Sequence, residues 1–524
     1  MSHIFHRSIF EITLVLLTAF FWIACMPPFK FSEFAYFLFS PLLIWFCSAP
    51  NKKSFFRVVI LIGGFAWIGI LIWLRHVTWG GTILLSIILS LYFVLWATYA
   101  RYVMPRIYSR SFVVRLIGFL GIAGCWVVIE YLRSILLYGM PMGPFALSQW
   151  ERPVVLQLAA WTGAYGISFF LILFNCCLAL TFQQLINKDY TGKLFRKWFK
   201  VDFYFAIISL IGLLFLYAEC LPKSVSKKSD GFTFGIIQPN FEPLLIWNAE
   251  NNKQRMMQLK SQLQAAKLLD FDILFFPEAV TPNPIIGDLE TLRLFENFAD
   301  EKGQALVLGN LAYDNLNDAW YNGIFLVEPE KGLAPSYYTK RQLVPFGEYT
   351  PKLFSWIEPF GGIQGSFMAG NEPKIIPFNL GERTWSIGPL VCYEDMFPSL
   401  VRNSVNAGSE ILFVATNDSW YGEEGGAYFH AAHSVLRAVE NRRPVVRCGN
   451  AGWSGWIDPL GLTRGIMLDN KESIYFKGSG NFEFKVTEEW DNFESFYSKN
   501  GDWFVCVAFF LAIIGISPCI TNSN

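Results

Sequence analysis

The sequence predicts an α-helical membrane bundle of eight spans that carries one large layered α/β domain. Three observations lead there. The 524-residue chain is 53% hydrophobic and 17% aromatic, with a mean hydropathy of +0.35, above ordinary globular usage. Apolar stretches long enough to cross a bilayer core, about 20 residues of helix, recur through residues 1–220 and once more after residue 500. Between them, residues 221–500 change to short β-rich runs that alternate with helical ones.

The spans are expected near residues 9–26, 31–47, 58–74, 83–103, 113–137, 154–180, 203–220 and 503–517. The first follows a short basic stretch, HIFHRS, and ends in WIAC, which is weakly lipobox-like. Trp22 is a poor residue three positions before a lipidated cysteine, and more spans follow at once, so a retained first helix is expected. Lys52, Lys53 and Arg57 follow span two, Arg101, Arg106 and Arg110 span four, and Lys193, Arg196, Lys197 and Lys200 span six. Cations gather on the cytoplasmic side. Both termini are therefore expected inside, with residues 221–500 across the membrane. Glu130 and Arg133, one turn apart in span five, are functional candidates by depth alone, and they also suit simple pairing.

Formal net charge is zero, so no global field points to nucleic acid. Of ten cysteines, only Cys392 and Cys448 lie outside or away from the spans; a bridge between them stays open, but two cysteines make no disulfide framework.

Within the insert, strands are expected at 232–238, 271–278, 305–310, 321–329, 384–394, 410–418 and 444–450, and helices at 250–269, 289–301 and 430–442. Continuous apolar strands alternating with helices argue for sheets covered on their faces. The glycine-rich piece at 358–373 lacks the context of a phosphate cradle and reads as a mobile loop or a structural turn.

Three segments end a strand or loop and present chemistry: FPE gives Glu278, YTKRQLVPFGEY gives Lys340 and Glu348, and GPLVCYED gives Cys392 followed by Tyr393, Glu394 and Asp395. Singly, each has a bland reading as a surface carboxylate, a solvated cation or a filled core site. Together, in this order and with these flanks, they resemble the nitrilase (carbon-nitrogen hydrolase) superfamily. The eight-span frame narrows the resemblance to the apolipoprotein N-acyltransferases, and so do WVVIEYLRS, GMPMGPFALSQW, TGAYGISFF, NDSWYG and RAVENRRPVVRCGNAGWSGWIDPLG.

The resemblance implies a nitrilase-like αββα sandwich at 221–500, flanked by a seven-span domain at 1–220 and a C-terminal span at 501–524. It implies Glu278 as general base and acid, Lys340 as oxyanion stabiliser and Cys392 as nucleophile, supported by Trp247, Glu348, Tyr393 and Glu394. It implies no cofactor and no metal. The implied donor is a phospholipid, with phosphatidylethanolamine expected, and the acceptor an apolipoprotein, served by a monomer in a bacterial inner membrane with its catalytic domain in the periplasm. Phe429, where many members have Gln, and the tryptophans of AGWSGWID depart from the pattern and bear on substrate fit.

The chemistry suits the residues. A thiolate attacks an ester readily, and the resulting thioester acylates an amine better than an oxygen ester does. The donor leaves lipid at a cost of roughly 0.8 kcal/mol per exposed CH₂, so a site close to the membrane surface is expected. The apolar loops at 241–247, 353–360 and 419–429 are candidate membrane-dipping lids. The alternative within the same fold is a membrane-tethered amidase or hydrolase using water as acceptor. A transporter reading has little support, since the spans carry few ionisable residues at mid-depth and show no obvious paired, interrupted helices. His430 or His433 as a catalytic partner of Cys392, or as metal ligands, finds no supporting HExxH or CxxC motif.

Overall fold

The computed structural model describes residues 2–136, 138–186, 201–221, 229–242, 249–352, 367–487 and 494–520. The chain divides into two compact units, one of Met1–Leu221, Glu424–Phe429 and Lys499–Asn524, the other of Pro222–Glu423 and His430–Ser498.

The first unit is helical. In chain order its main helices are α1 (Ser2–Cys25), α2 (Ser40–Cys47), α3 (Lys52–Ile70), α4 (Trp79–Ile107), α5 (Phe112–Ile135), α6 (Ala164–Ile186) and α7 (Val201–Cys220), with a C-terminal helix at Trp503–Ile514. Among the described residues, six helices are long and apolar enough to cross a membrane: α1, α3, α4, α5, α6 and α7. The second and eighth expected stretches form shorter apolar helical segments at Ser32–Cys47 and Trp503–Cys519. The second is broken into a 3₁₀ turn at Ser32–Tyr36 and the eight-residue α2. In an apolar surrounding the backbone groups freed by such a break need partners. Asn175 of α6 supplies them: its amide nitrogen donates to Ala35 O at 2.8 Å and its oxygen accepts from Phe39 N at 2.9 Å. Glu130 and Arg133, for which pairing is one open reading of the sequence, make no direct ion pair. Glu130 Oε1 accepts from Phe145 N at 2.6 Å, and the Arg133 guanidinium lies 5.3 Å from the Trp67 ring centroid.

The second unit is a four-layer α/β sandwich. Its elements are β1 (Ser229–Gln238), α8 (Asn252–Ala266), β2 (Ile273–Phe275), α9 (Leu289–Lys302), β3 (Ala305–Asp314), β4 (Ala319–Glu328), β5 (Gly332–Leu333), β6 (Tyr338–Thr339), β7 (Ile376–Leu380), β8 (Arg383–Val391), α10 (Pro398–Asn406), β9 (Ile411–Thr416), α11 (Gly426–Asn441), β10 (Val445–Gly449), β11 (Gly455–Ile457), β12 (Thr463–Ile466) and β13 (Gly478–Thr487). One sheet runs β13-β1-β2-β3-β4-β5 with β6 on β4; the other runs β12-β11-β10-β9-β8-β7. The centre of each is parallel, β1-β2-β3 and β8-β9-β10, with antiparallel strands outside.

Strand faces explain the layering. Phe234, Phe275, Val307 and Ile324 of the first sheet meet Ile387, Phe413 and Val446 of the second, and the Phe275 and Phe413 rings stand 4.5 Å apart. The opposite face of the first sheet, with Leu274, Phe276, Leu306 and Leu308, packs against Leu259 and Leu263 of α8 and Phe295 and Phe298 of α9. Both faces of β9 and β10 are buried, which is why their sequences read as unbroken apolar runs. Asp288 caps α9 by accepting from Thr291 N at 3.0 Å.

Candidate active site

The ends of β2, β6 and β8 carry the three residues singled out in the sequence. Strand β2 stops at Phe275 because Pro277 has no N–H to give a ladder. The chain then turns through Glu278 and Ala279, whose φ is +48°. Gly309 of β3 permits this path, since a Cβ there would stand 2.4 Å from the Pro277 carbonyl oxygen. Lys340 follows β6, tied by its N–H to Asn322 O at 2.8 Å, and its side chain is 1% exposed. Cys392 opens the 3₁₀ turn after β8 with φ at +51° and is buried. A non-glycine residue in that region costs about 1–3 kcal/mol and persists where its surroundings hold it.

Glu278, Lys340 and Glu348 come together. Lys340 Nζ lies 2.8 Å from Glu348 Oε1 and 3.4 Å from Glu278 Oε1. Burial opposes the charge on Lys340, but Glu348 and then Glu278 outweigh it and hold its pKa above the ordinary lysine value. Burial raises the Glu278 pKa against the pull of Lys340, with Glu348 adding to the rise. The Cys392 thiol is pushed up by burial and then by the Glu278 charge, with Lys340 opposing both. Burial thus favours the thiol form of Cys392, within electrostatic reach of Glu278 and Lys340, and its proton has to leave as the sulfur attacks. That geometry suits a base that takes the proton and a cation that meets a developing oxyanion.

Glu394 makes its hydrogen bonds to the segments that carry these groups and ties them together. Its Oε1 accepts from Arg341 N at 2.6 Å and Gln342 N at 3.1 Å, its Oε2 from Val391 N at 2.7 Å, and the Tyr338 hydroxyl donates to both oxygens, at 2.8 and 2.7 Å. One buried carboxylate therefore joins the lysine-bearing segment to the residue before Cys392. Burial raises its pKa, and the Val391 N–H and Tyr338 hydroxyl oppose the rise. Tyr393 is buried with its ring 4.9 Å from Phe397. Trp247 lies outside the described residues, as do most of 241–247 and all of 353–360 among the expected lids.

Sequence reading missed Asn322. Its Nδ2 donates to Glu278 Oε1 at 2.7 Å and to Glu348 Oε1 at 3.3 Å, so it spaces the two carboxylates around Lys340. The available signal was a polar residue at a buried position in the apolar strand YNGIFLVEP. His430 does not stand as a base for Cys392. Its Nδ1 lies 2.7 Å from Asp418 Oδ1 and its Nε2 2.8 Å from Asp395 Oδ1, leaving neither ring nitrogen to the thiol. Cys392 and Cys448 are both free thiols, so the bridge left open by the sequence is not formed.

Comparison with known proteins gives matches in both units. A family model described as the apolipoprotein N-acyltransferase N-terminal domain matches residues 18–177, and one described as carbon-nitrogen hydrolase matches residues 235–475. The chain is similar to the apolipoprotein N-acyltransferase of Geobacter metallireducens, 29% identical over 91% of this chain and 89% of that one. It is also similar to that of Chlorobaculum tepidum, 25% identical over 86% and 89%. Among solved structures, a carbon-nitrogen hydrolase superfamily protein from Xanthomonas campestris, XC1258, is 18% identical, covers 49% of this chain and 91% of its own, and has a TM-score of 0.37. An amidase from Nesterenkonia sp. is 17% identical over 55% of this chain and all of its own, with a TM-score of 0.36.

Proposed function

The chain belongs to the apolipoprotein N-acyltransferase family, and from that premise we propose that it moves an acyl chain from a phospholipid, through a thioester on Cys392, to the α-amine of an S-diacylglyceryl-cysteine at an apolipoprotein N-terminus. The observation that carries the reading is the buried Lys340 ammonium held between Glu278 and Glu348 at the strand ends that also present Cys392.

In the first half-reaction the Cys392 sulfur bonds to the ester carbonyl carbon. Glu278 takes the thiol proton, and Lys340 places positive charge against the tetrahedral oxyanion. The carbon–oxygen bond then breaks and Glu278 returns the proton to the departing lysophospholipid oxygen. In the second half the acceptor amine attacks the thioester carbonyl, Glu278 receives a proton from the nitrogen, and as the carbon–sulfur bond breaks Glu278 passes that proton to the departing sulfur, regenerating the Cys392 thiol and its own carboxylate. Glu278 is thus used twice, which suits a carboxyl whose pKa burial has raised towards the working range. Glu348 keeps Lys340 charged, and Glu394 keeps the lysine segment and the cysteine turn in register.

The membrane part of the proposal completes the picture. Six long apolar helices, with the shorter segments at Ser32–Cys47 and Trp503–Cys519, support an eight-span arrangement in a bacterial inner membrane. The cation-rich loops after the second, fourth and sixth expected spans support a topology with both termini in the cytoplasm and the α/β unit in the periplasm. Phosphatidylethanolamine is the proposed donor, and the protein is proposed to act as a monomer.

The test is turnover of a diacylglyceryl-cysteine peptide by purified variants. Cys392→Ala is expected to abolish N-acylation and Glu278→Gln to slow both half-reactions. Normal turnover by folded Cys392→Ala protein would sink the proposal.

A further inference from the structure

A fully buried ionic cluster stands behind Cys392 and has no part in the mechanism above. His430 of α11 lies between two carboxylates, Asp418 at 2.7 Å from Nδ1 and Asp395 at 2.8 Å from Nε2. Arg447 of β10 spans the same two, donating from Nη1 to Asp395 Oδ2 at 2.7 Å and from Nη2 to Asp418 Oδ2 at 3.2 Å. Ser434 donates to Asp395, and the Tyr421 ring centroid is 6.3 Å from that of His430. All four charged side chains are buried, none more than 1% exposed.

Two features connect the cluster to the nucleophile. His430 Nε2 is also 3.2 Å from the Cys392 carbonyl oxygen. Asp395 and Cys392 lie in the same 3₁₀ turn, whose left-handed first residue needs its surroundings to hold it. A neutral imidazole has a single N–H, whereas here acceptors face both ring nitrogens. Charge counting agrees. With His430 protonated, two cations match two carboxylates; with His430 neutral, one unmatched negative charge is buried beside the thiol, at high cost in a low-dielectric site.

We propose that His430, doubly protonated between Asp395, Asp418 and Arg447, is a positioning residue that grips the Cys392 carbonyl and so fixes the turn from which the thiol attacks. Glu394 holds the Val391 N–H on the near side of Cys392, and His430 holds the carbonyl on the far side. Burial opposes the His430 charge, but Asp395 outweighs it and lifts the pKa to about 9. The raised value fixes the sign: the clamp is fully present below the ordinary histidine value of 6.5 and is lost as pH rises through about 9. The groups that face His430 are Asp395 from the cysteine turn and Asp418 from the turn after β9, which favour its charge, and Arg447 from β10, which opposes it; the Tyr421 ring lies alongside, and Ser434 of the same helix donates to Asp395.

The inference rests on the reading of Cys392 as the acylated nucleophile. Its test is the single-turnover rate of Cys392 acylation by phosphatidylethanolamine in full-length protein, read by intact mass, with melting temperature recorded alongside. His430→Leu and His430→Gln are expected to slow acylation by about 10²-fold, as misplacement of a reacting group does, at an unchanged apparent KM for lipid. Adding Asp418→Asn to His430→Gln restores the charge match and is expected to recover part of the rate. Wild-type acylation is expected to fall above about pH 9, a limb absent from that double variant. Folded His430→Leu acylating at the wild-type rate would overturn the inference. So would a wild-type rate that stays level through that pH, a measurement that decides alone should the variants fail to fold. A wild-type adduct with unaffected variants defeats this inference only; no wild-type adduct defeats the acyl-transfer reading and this one with it.

Discussion

Glu394→Gln keeps the size of the side chain and changes only what one of its two oxygens can do. In the folded protein that carboxylate receives Arg341 N–H and Gln342 N–H on one side, Val391 N–H on the other, and the Tyr338 hydroxyl on both. A glutamine must turn its NH₂ towards one of these donors. In its cheaper orientation the NH₂ faces the single N–H of Val391, while Tyr338 can rotate to accept. One hydrogen bond to a charged group is then lost, worth about 1.5–3 kcal/mol, and one buried N–H goes unsatisfied, at a further 1–3 kcal/mol. The sum is on the order of 3–5 kcal/mol, a fall in melting temperature of about 10 °C for a domain of this size. The Val391 N–H is the group that anchors the turn beside Cys392, so acylation is expected to drop by about 10²-fold as well. Thermal melts in detergent and single-turnover acylation measure the two effects. Tyr338→Phe is the control: it removes a donor but leaves the carboxylate and the Val391 N–H bond, so a loss of about 1.5–3 kcal/mol with a near-normal rate is expected. Glu394→Gln protein that melts and acylates like wild type would refute the idea that this carboxylate ties the lysine segment to the cysteine turn.

Three further outcomes are expected. Lys340→Met should lower the acylation rate by about 10²–10³-fold, the usual cost of one oxyanion donor. It also leaves Glu278 and Glu348 without their shared cation, so adding Glu348→Gln should recover melting temperature but not rate. Asp395→Asn should destabilise the protein in a pH-dependent way. Burial opposes the Asp395 charge, but His430 and Arg447 outweigh it and hold its pKa well below the ordinary 3.8. Its stabilisation is therefore full above about pH 4 and lost as pH falls towards the depressed value, so melts of wild type and variant should converge only in acid. Gly309→Ala drives a methyl to within 2.4 Å of the Pro277 oxygen and should cost about 1–3 kcal/mol. Because Glu278 follows Pro277 directly, its rate should fall further than its stability does; a rate that merely tracks the folded fraction would contradict that path.

Hydropathy and strand pattern made the two kinds of architecture legible, because a lipid-facing helix and a doubly covered strand each leave a compositional trace. They were blind to breaks. The expected sixth span, 154–180, is interrupted where Gly163 takes φ of +67° before α6 begins, and the second is interrupted where Asn175 accepts the burden of its backbone. A hydropathy window scores both as continuous. Strand ends were similarly blurred: 271–278 reads as one run, yet pairing stops at Phe275 ahead of Pro277. The pairing of β1 with β13 joins residues far apart in the chain, and neither strand names its partner.

At the candidate site, Glu278, Lys340 and Cys392 were legible through their flanks and their places at strand ends. Their environment was not. Asn322 is a polar residue in an apolar strand, and only the fold shows that its amide reaches Glu278 from the neighbouring segment. Glu394 was expected to matter, but three of its four donors come from a stretch some fifty residues away, Tyr338, Arg341 and Gln342, and only Val391 is a chain neighbour. His430 invited a catalytic reading beside a cysteine; burial between Asp395 and Asp418 turns it into part of the support. In each case the missing information was long-range contact, which composition and spacing do not encode.

The most direct test of acyl transfer is the intact mass of purified protein after incubation with phosphatidylethanolamine, before and after addition of a diacylglyceryl-cysteine peptide. The account predicts a gain of one acyl chain, absent in Cys392→Ala, that the peptide discharges with an amide formed on its α-amine. An adduct discharged only by water would assign a hydrolase instead, and no adduct on folded protein would contradict Cys392 as the nucleophile.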